Sequence, residues 1–190
     1  MSASKLRRFY SEVAVVPVEN GFNVQLDGKP LRTPEQNSLV LPTLSLGEAL
    51  ADEWRRAVEH VDPQTMPYTK LAFTAVDRVS PHREAVVEQI SAYANADVVC
   101  YRATEPGDLK KRQEDDWDPV LEWAQSKFNV AIRTGEGISH FSQEHDTLCA
   151  LTSAFSDRSS FYLAALHTLV ANSSSLILSL AVAAGNKGAD

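Results

Sequence analysis

The chain has 190 residues, 44% of them hydrophobic, and carries 18 Lys and Arg against 25 Asp and Glu for a formal charge of −7. That length and apolar content suffice to bury a core in one domain or two small ones. The acidic balance argues against a nucleic-acid partner, because affinity for a phosphate backbone rests on Lys and Arg, and a protein or small-molecule partner is expected instead.

Cys100 and Cys149 are the two cysteines, each inside an apolar run. They are too few for a disulfide framework, which fits a reducing compartment, and both read as small core residues. Lys5, Arg7 and Arg8 lie near the start, but Ser11, Glu12 and Asn20 interrupt the following apolar stretches too early for a secretory signal. A mitochondrial transit peptide would need a longer Arg- and Ser-rich segment. The expected setting is the bacterial cytosol, or a processed mature form.

Up to Pro42 the pattern is that of strands. Val13-x-Val15 is followed by a turn at Asn20-Gly21, by the alternating Phe22-x-Val24-x-Leu26, by Asp27-Gly28, and by Leu39-Val40-Leu41. Asp27-Gly28 reads as a two-residue hairpin turn with φ > 0 at both positions. The expectation is a small antiparallel meander with Pro30 on an edge. From Ser45 the period becomes helical: Ser45-x-x-Glu48 reads as a capping box, Leu46, Leu50, Trp54, Ala57, Val58 and Val61 form one stripe, and Asp62-Pro63 ends the helix.

The remainder reads as helical. One helix is expected over 68–79, and Ser80-Pro81, a cap followed by proline, opens another with Val86, Val87, Ile90 and Ala94 inward. After a turn at Glu105-Pro106-Gly107-Asp108, the same device at Asp118-Pro119 starts a helix burying Val120, Leu121, Ala124 and Phe128. Gly135-Glu136-Gly137 is a loop. Ser142 caps a helix with Leu148, Leu151, Thr152 and Phe155 inward, and Asp157 caps another to about Val170. Phe161 to Ala184 is apolar enough to suggest a membrane span, but His167 and Asn172-Ser173-Ser174-Ser175 split it into two pieces of core-helix length. A helical hairpin is expected, with no membrane insertion. The fold class is therefore α+β: a small N-terminal antiparallel β domain with one helix over 1–64, then a larger all-α domain over 65–190.

Catalytic constellations are sparse. Gly135-x-Gly137 lacks the Lys-Ser/Thr of a phosphate loop, there is no GxSxG elbow, and His140 and His145 are off the i, i+4 spacing of zinc motifs. The acidic run Glu114-Asp115-Asp116-Trp117-Asp118 precedes Pro119, where carboxylates complement a helix dipole, and it lacks the spacing of a calcium loop. No cofactor, metal or catalytic residue is assigned. Trp54, Trp117 and Trp123 read first as core residues and second as partner anchors.

An ordered set of motifs spans most of the chain: Arg8-Phe9-Tyr10, Leu26-Asp27-Gly28-Lys29-Pro30-Leu31-Arg32-Thr33-Pro34, Leu41-Pro42-Thr43, Ala51-Asp52-Glu53-Trp54, Asp62-Pro63 with Met66-Pro67-Tyr68-Thr69, and Thr74-Ala75-Val76-Asp77-Arg78-Val79. It continues with Tyr93, Ala96-Asp97, Tyr101-Arg102-Ala103, Gln113, Trp117-Asp118-Pro119, Trp123 and Gly135-Glu136-Gly137-Ile138. Together these resemble the ATP12-type assembly chaperones of the F1 sector of ATP synthase, in an alphaproteobacterial form. The resemblance implies a chaperone, not an enzyme, that binds the unassembled F1 α subunit and is displaced by β. It further implies a monomer, cytoplasmic in bacteria and in the mitochondrial matrix in eukaryotic relatives.

Family members continue past the final apolar helix into a polar helical segment with an acidic residue and a Trp-Gly pair tied to function. This chain stops at Gly185-Asn186-Lys187-Gly188-Ala189-Asp190, so the expectation is a shortened form that keeps the scaffold. Residues assigned to partner binding are Glu53, Trp54, Asp97, Arg102 and Trp117, with Glu53 and Trp54 at the seam of the two domains. Asp27, Gly28, Pro34 and Pro67 are assigned to structure. The alternatives are an adaptor with another client, or a carboxylate-based hydrolase using Glu53, Asp97 or the acidic run.

Overall fold

The computed structural model describes residues 6–62 and 65–186. Left-handed turns organise its first part. A short strand Leu6–Arg7 (β1) precedes Val13–Val18 (β2) and Gly21–Leu26 (β3), which pair antiparallel from Val13 opposite Leu26 to Val18 opposite Gly21. Lys29–Pro30 (β4) then pairs antiparallel with β3, so Pro30 sits on the expected edge, where its missing N–H costs no ladder bond. Between β3 and β4, Asp27 and Gly28 have φ of 49° and 75°, the pair of positive values a type I′ turn requires. Asp27 does more than turn the chain, because its carboxylate accepts the N–H groups of Ser11 at 3.0 Å and Glu12 at 2.7 Å.

The run at Leu39–Leu41 joins this sheet by a single bridge instead of forming a further regular strand. Phe22 and Leu41 exchange both backbone hydrogen bonds, at 2.9 and 2.7 Å. The approach is so close that a Cβ on Gly21 would lie 2.3 Å from the Leu41 carbonyl oxygen.

Leu44–Arg56 (α1) packs on β2 and β3 and buries Gly47, Leu50, Ala51 and Trp54. Its cap is Thr43, whose Oγ1 accepts the Leu46 N–H at 3.2 Å, so Ser45 lies inside the helix and the capping box expected from Ser45 and Glu48 does not form. The helix also ends earlier than its apolar stripe suggests. Arg8 donates through Nη1 to the Ala57 carbonyl at 2.8 Å and through its backbone N–H to Glu59 at 2.8 Å, and His60–Val61 (β5) pairs antiparallel with β1. A tertiary partner thus takes the segment out of the helix and leaves Val58 80% exposed. Pro63, the expected helix stop, lies outside the described residues.

Pro67–Thr74 (α2) opens with Pro67 at its first position and continues into a π-helical turn over Ala75–Val79, matching the single helix expected over 68–79. Ser80 is not an N-cap. The wider turn sends its N–H back five residues to Ala75 at 2.9 Å, and the next helix, Arg83–Ala92 (α3), starts only after His82.

Contacts divide the chain into two units, Met1–Pro81 and His82–Asp190. The expected boundary at residue 64 lies outside the described residues. α2 groups with the sheet because Trp54 Nε1 donates to Thr69 Oγ1 at 3.0 Å and Glu53 receives the N–H groups of Tyr68 and Thr69.

In the second unit, 3₁₀ turns at Tyr93–Ala96 and Val98–Cys100 follow α3 and lead into Tyr101–Arg102 (β6). Gly107–Phe128 (α4) is one helix of 22 residues with Pro119 inside it. The helix start expected at Asp118-Pro119 is therefore wrong: Asp118 is helical, and its carboxylate pairs with Arg102 instead of capping. Gly135–Glu136 (β7), expected as loop, pairs parallel with β6. His145–Ser153 (α5) begins after Glu144 with no side-chain cap, not at Ser142. Ser160–Ser173 (α6) is capped by Ser159, whose Oγ accepts the Tyr162 N–H at 3.3 Å, and not by Asp157.

Leu176–Ala183 (α7) completes the expected helical hairpin. Ser174 breaks α6 at φ 56°, and Ser175 caps α7 by accepting the Leu178 N–H at 2.9 Å. No helix among the described residues is long and apolar enough to cross a membrane. Cys100 is buried as expected, but Cys149 is exposed.

Candidate functional site

The five residues assigned to partner binding fall into two groups. In the first unit, Glu53 is an anchor for α2: Oε1 accepts the Tyr68 N–H at 2.7 Å, and Oε2 accepts the Thr69 N–H at 2.8 Å and hydroxyl at 2.7 Å. A carboxylate at a helix N-terminus satisfies donors that the helix itself cannot. Trp54 is buried, its ring packed against Tyr10 at 5.6 Å, while the Tyr10 hydroxyl donates to the Trp54 carbonyl at 2.7 Å. These partners all lie within the first unit.

The structural motif residues belong to the same unit. Pro34 lies on an exposed loop tied to the π turn by Asp77, which accepts Asn37 Nδ2 at 2.9 Å and the Glu35 N–H at 3.3 Å. Burial pushes the Asp77 carboxyl up, but hydrogen bonds from Thr33, Asn37 and Glu35 and the charge of Arg78 outweigh it and hold the group below the ordinary range.

In the second unit Asp97 is 1% exposed. Oδ1 accepts the Val99 N–H at 3.2 Å and Oδ2 the Ile177 N–H at 2.9 Å. Burial pushes its carboxyl up from the usual aspartate range, against hydrogen bonds from Ile177, Ser175, Val99 and Leu176. Arg102, also buried, donates through Nη1 to the carbonyls of Val99 at 2.7 Å and Tyr101 at 3.2 Å, pairs through Nη2 with Asp118, and lies 5.3 Å from the centre of the Trp117 ring. Its donors are committed to the fold, and its charge holds Trp117 in place.

Arg102 and Trp117 meet at a groove of about 290 Å³ that also takes in Val98, Tyr101 and Ile138. Ile138 is fully exposed, and Val98 and Trp117 are partly so. The backbone that presents Ile138 is fixed: the Gly137 N–H donates to the Arg102 carbonyl at 2.9 Å, and Glu136 pairs with Lys110 of α4. Val98, Trp117 and Ile138 give this groove apolar walls beside the Arg102 guanidinium. In the sequence Ile138 stands only as the end of the motif Gly135-Glu136-Gly137-Ile138, and a lone apolar residue there has no periodicity to mark it as a surface contact.

The carboxylates of the hydrolase reading, Glu53 and Asp97, both receive backbone N–H groups and so serve helix ends. No group of three His, Cys, Asp or Glu among the described residues is arranged to hold a metal. The structure does bring together one pair that was not anticipated: His145 Nε2 and Cys149 Sγ, 3.4 Å apart on α5. Their i, i+4 spacing was the available signal.

The family described as ATP12 chaperone protein matches residues 7–125. The crystal structure of Atp12 from Paracoccus denitrificans is similar at a TM-score of 0.92 and 37% identity, over 96% of this chain and 78% of that one. A crystal structure of a protein from Agrobacterium tumefaciens is similar at a TM-score of 0.91 and 39% identity, over 96% of this chain and 69% of that one. The mitochondrial atp12 protein of Schizosaccharomyces pombe is 26% identical over an alignment of 193 positions, gaps included, that spans 94% of this chain and 66% of that relative, just under two thirds of its length. With more than half its length matched, in a fold shared along nearly all of it, the chain belongs to the ATP12 chaperone protein family.

Proposed function

We propose that this chain binds the unassembled α subunit of F1 and supports assembly of the F1 sector of ATP synthase, without a cofactor and without chemistry of its own. The family match over residues 7–125 carries this reading. An α subunit awaiting β exposes a large interface patch that is prone to aggregation and wrong pairing. A chaperone that covers part of it needs only to bind more weakly than β, which then displaces it by competition.

Within this reading, the groove around Trp117 and Ile138 contributes client contacts. Arg102 acts there by positioning Trp117, while Glu53, Trp54 and Asp97 act through the scaffold. The chain works as a monomer in the bacterial cytoplasm.

Size-exclusion chromatography of the chain mixed separately with isolated F1 α and β tests the proposal. Co-elution with α alone, reversed by added β, is the expected result. Co-elution with neither subunit returns the function to an adaptor with another client.

A further inference from the structure

Away from the groove at Trp117, a nucleophile and a base share a second concavity. A cleft of about 510 Å³ has Glu88 and Ser91 of α3 and the following Asn95 on one wall, with His145, Cys149 and Thr152 of α5 on the other. That volume lies in the ~300–1,000 Å³ range of small-molecule sites. His145 and Cys149 stand one turn apart on the same face of α5, with Nε2 and Sγ 3.4 Å apart. Cys149 is exposed, whereas the Cys100 thiol is buried and pushed up to about 12 by that burial and by the charge of Asp97. The chain thus carries its own unreactive control.

We propose that Cys149 is a modification site for small disulfides of the glutathione class, with His145 as the proton acceptor. In the tautomer with the proton on Nδ1, the Nε2 lone pair faces the thiol and takes its proton. The thiolate attacks one sulfur of glutathione disulfide, a bond forms between Sγ and that sulfur, and the original S–S bond breaks. The displaced glutathione leaves as a thiolate and takes up the proton from His145. Cys149 ends in a mixed disulfide, one glutathione is released reduced, and no further oxidant is needed. The wall beside Cys149 is polar and fixed, since Thr152 Oγ1 donates to Ser91 Oγ at 3.0 Å, Ser91 Oγ to the Val87 carbonyl at 2.8 Å, and Asn95 Oδ1 accepts the Gln143 N–H at 3.1 Å, while the Glu88 carboxylate offers a partner for the ammonium group of the adduct.

The test is to incubate the full chain with glutathione disulfide at neutral pH and follow the adduct by intact mass and peptide mapping. One glutathionyl group on Cys149, absent from Cys149→Ser, is expected. In His145→Gln and His145→Asn the rate falls by about tenfold or more, with circular dichroism unchanged. Equal rates in wild type and both His145 variants overturn the role of the imidazole. Failure of Cys149 to react, or labelling of Cys100 at the same rate, overturns the site.

Discussion

Asp97 Oδ2 accepts the backbone N–H of Ile177 at 2.9 Å, joining residues 80 positions apart. The same carboxylate starts the 3₁₀ turn at Val98 and the last helix at Leu176, so one buried side chain closes two helix ends. Asp97→Ala strands those N–H groups and should lower stability by on the order of 3 kcal/mol in urea unfolding. Asp97→Asn separates charge from geometry. Burial raises the folded-state carboxyl above its unfolded value, so the stability it contributes is complete below the unfolded value and is lost as pH rises through the folded one. The wild type should therefore gain stability relative to Asp97→Asn on acidification, and a constant difference across pH would contradict this.

Asp27 has the opposite sign. Backbone hydrogen bonds from Glu12 and Ser11 lower its carboxyl below the ordinary aspartate value of 3.8. Its contribution is therefore present above that value and lost as pH falls through the folded one. Thermal unfolding of wild type and Asp27→Asn should differ at neutral pH and converge in acid. The asparagine tolerates the positive φ, so the comparison isolates the charge.

Gly21 and Gly28 both sit at turns, yet alanine should affect them differently. At Gly28 nothing lies within 4 Å of an added Cβ, so only the positive φ resists, at about 1 kcal/mol. At Gly21 the added atom meets the Leu41 carbonyl at 2.3 Å and must break the bridge to Phe22, costing about 2–4 kcal/mol. Denaturant midpoints of the two variants measure the contrast.

Trp54→Phe keeps most of the buried area but removes the Nε1 donor to Thr69, and should cost about 1 kcal/mol. Trp54→Ala should cost about 3–5 kcal/mol by opening a cavity beside Tyr10. Calorimetry of the pair shows how much of this junction is packing and how much is the indole hydrogen bond.

Ile138→Asp tests the groove. The side chain is fully exposed, so stability should stay within about 0.5 kcal/mol. Affinity for isolated F1 α should fall by about tenfold or more, and unchanged binding in a sedimentation or titration experiment would move the client contact elsewhere.

Local rules made the meander, the Asp27-Gly28 turn and the C-terminal hairpin readable from the chain, because strand alternation, positive φ and a polar break in an apolar run act over a few residues. Helix ends were less legible, since long-range partners set them. Arg8 ends α1 by reaching Ala57, and Arg102 recruits Asp118 away from the capping role its proline neighbour suggests. The same reason hid the groove. Val98, Trp117 and Ile138 are far apart in sequence, and only β6 beside β7 gathers them.

Pro119 carries no N–H, so midway along α4 the Asp115 carbonyl lacks its usual donor. Beyond the proline, Val120, Leu121 and Ala124 are buried; before it, Asp115 and Asp116 face water. The helix is thus held by a buried face beyond the proline and by side-chain ties before it, where Gln113 Oε1 accepts the Ala103 N–H at 2.7 Å and Asp118 pairs with Arg102, and amide protons over 111–118 should exchange faster than those over 121–128. Trp117 rides on the half that faces water, so its position rests on the Arg102 guanidinium beside its ring.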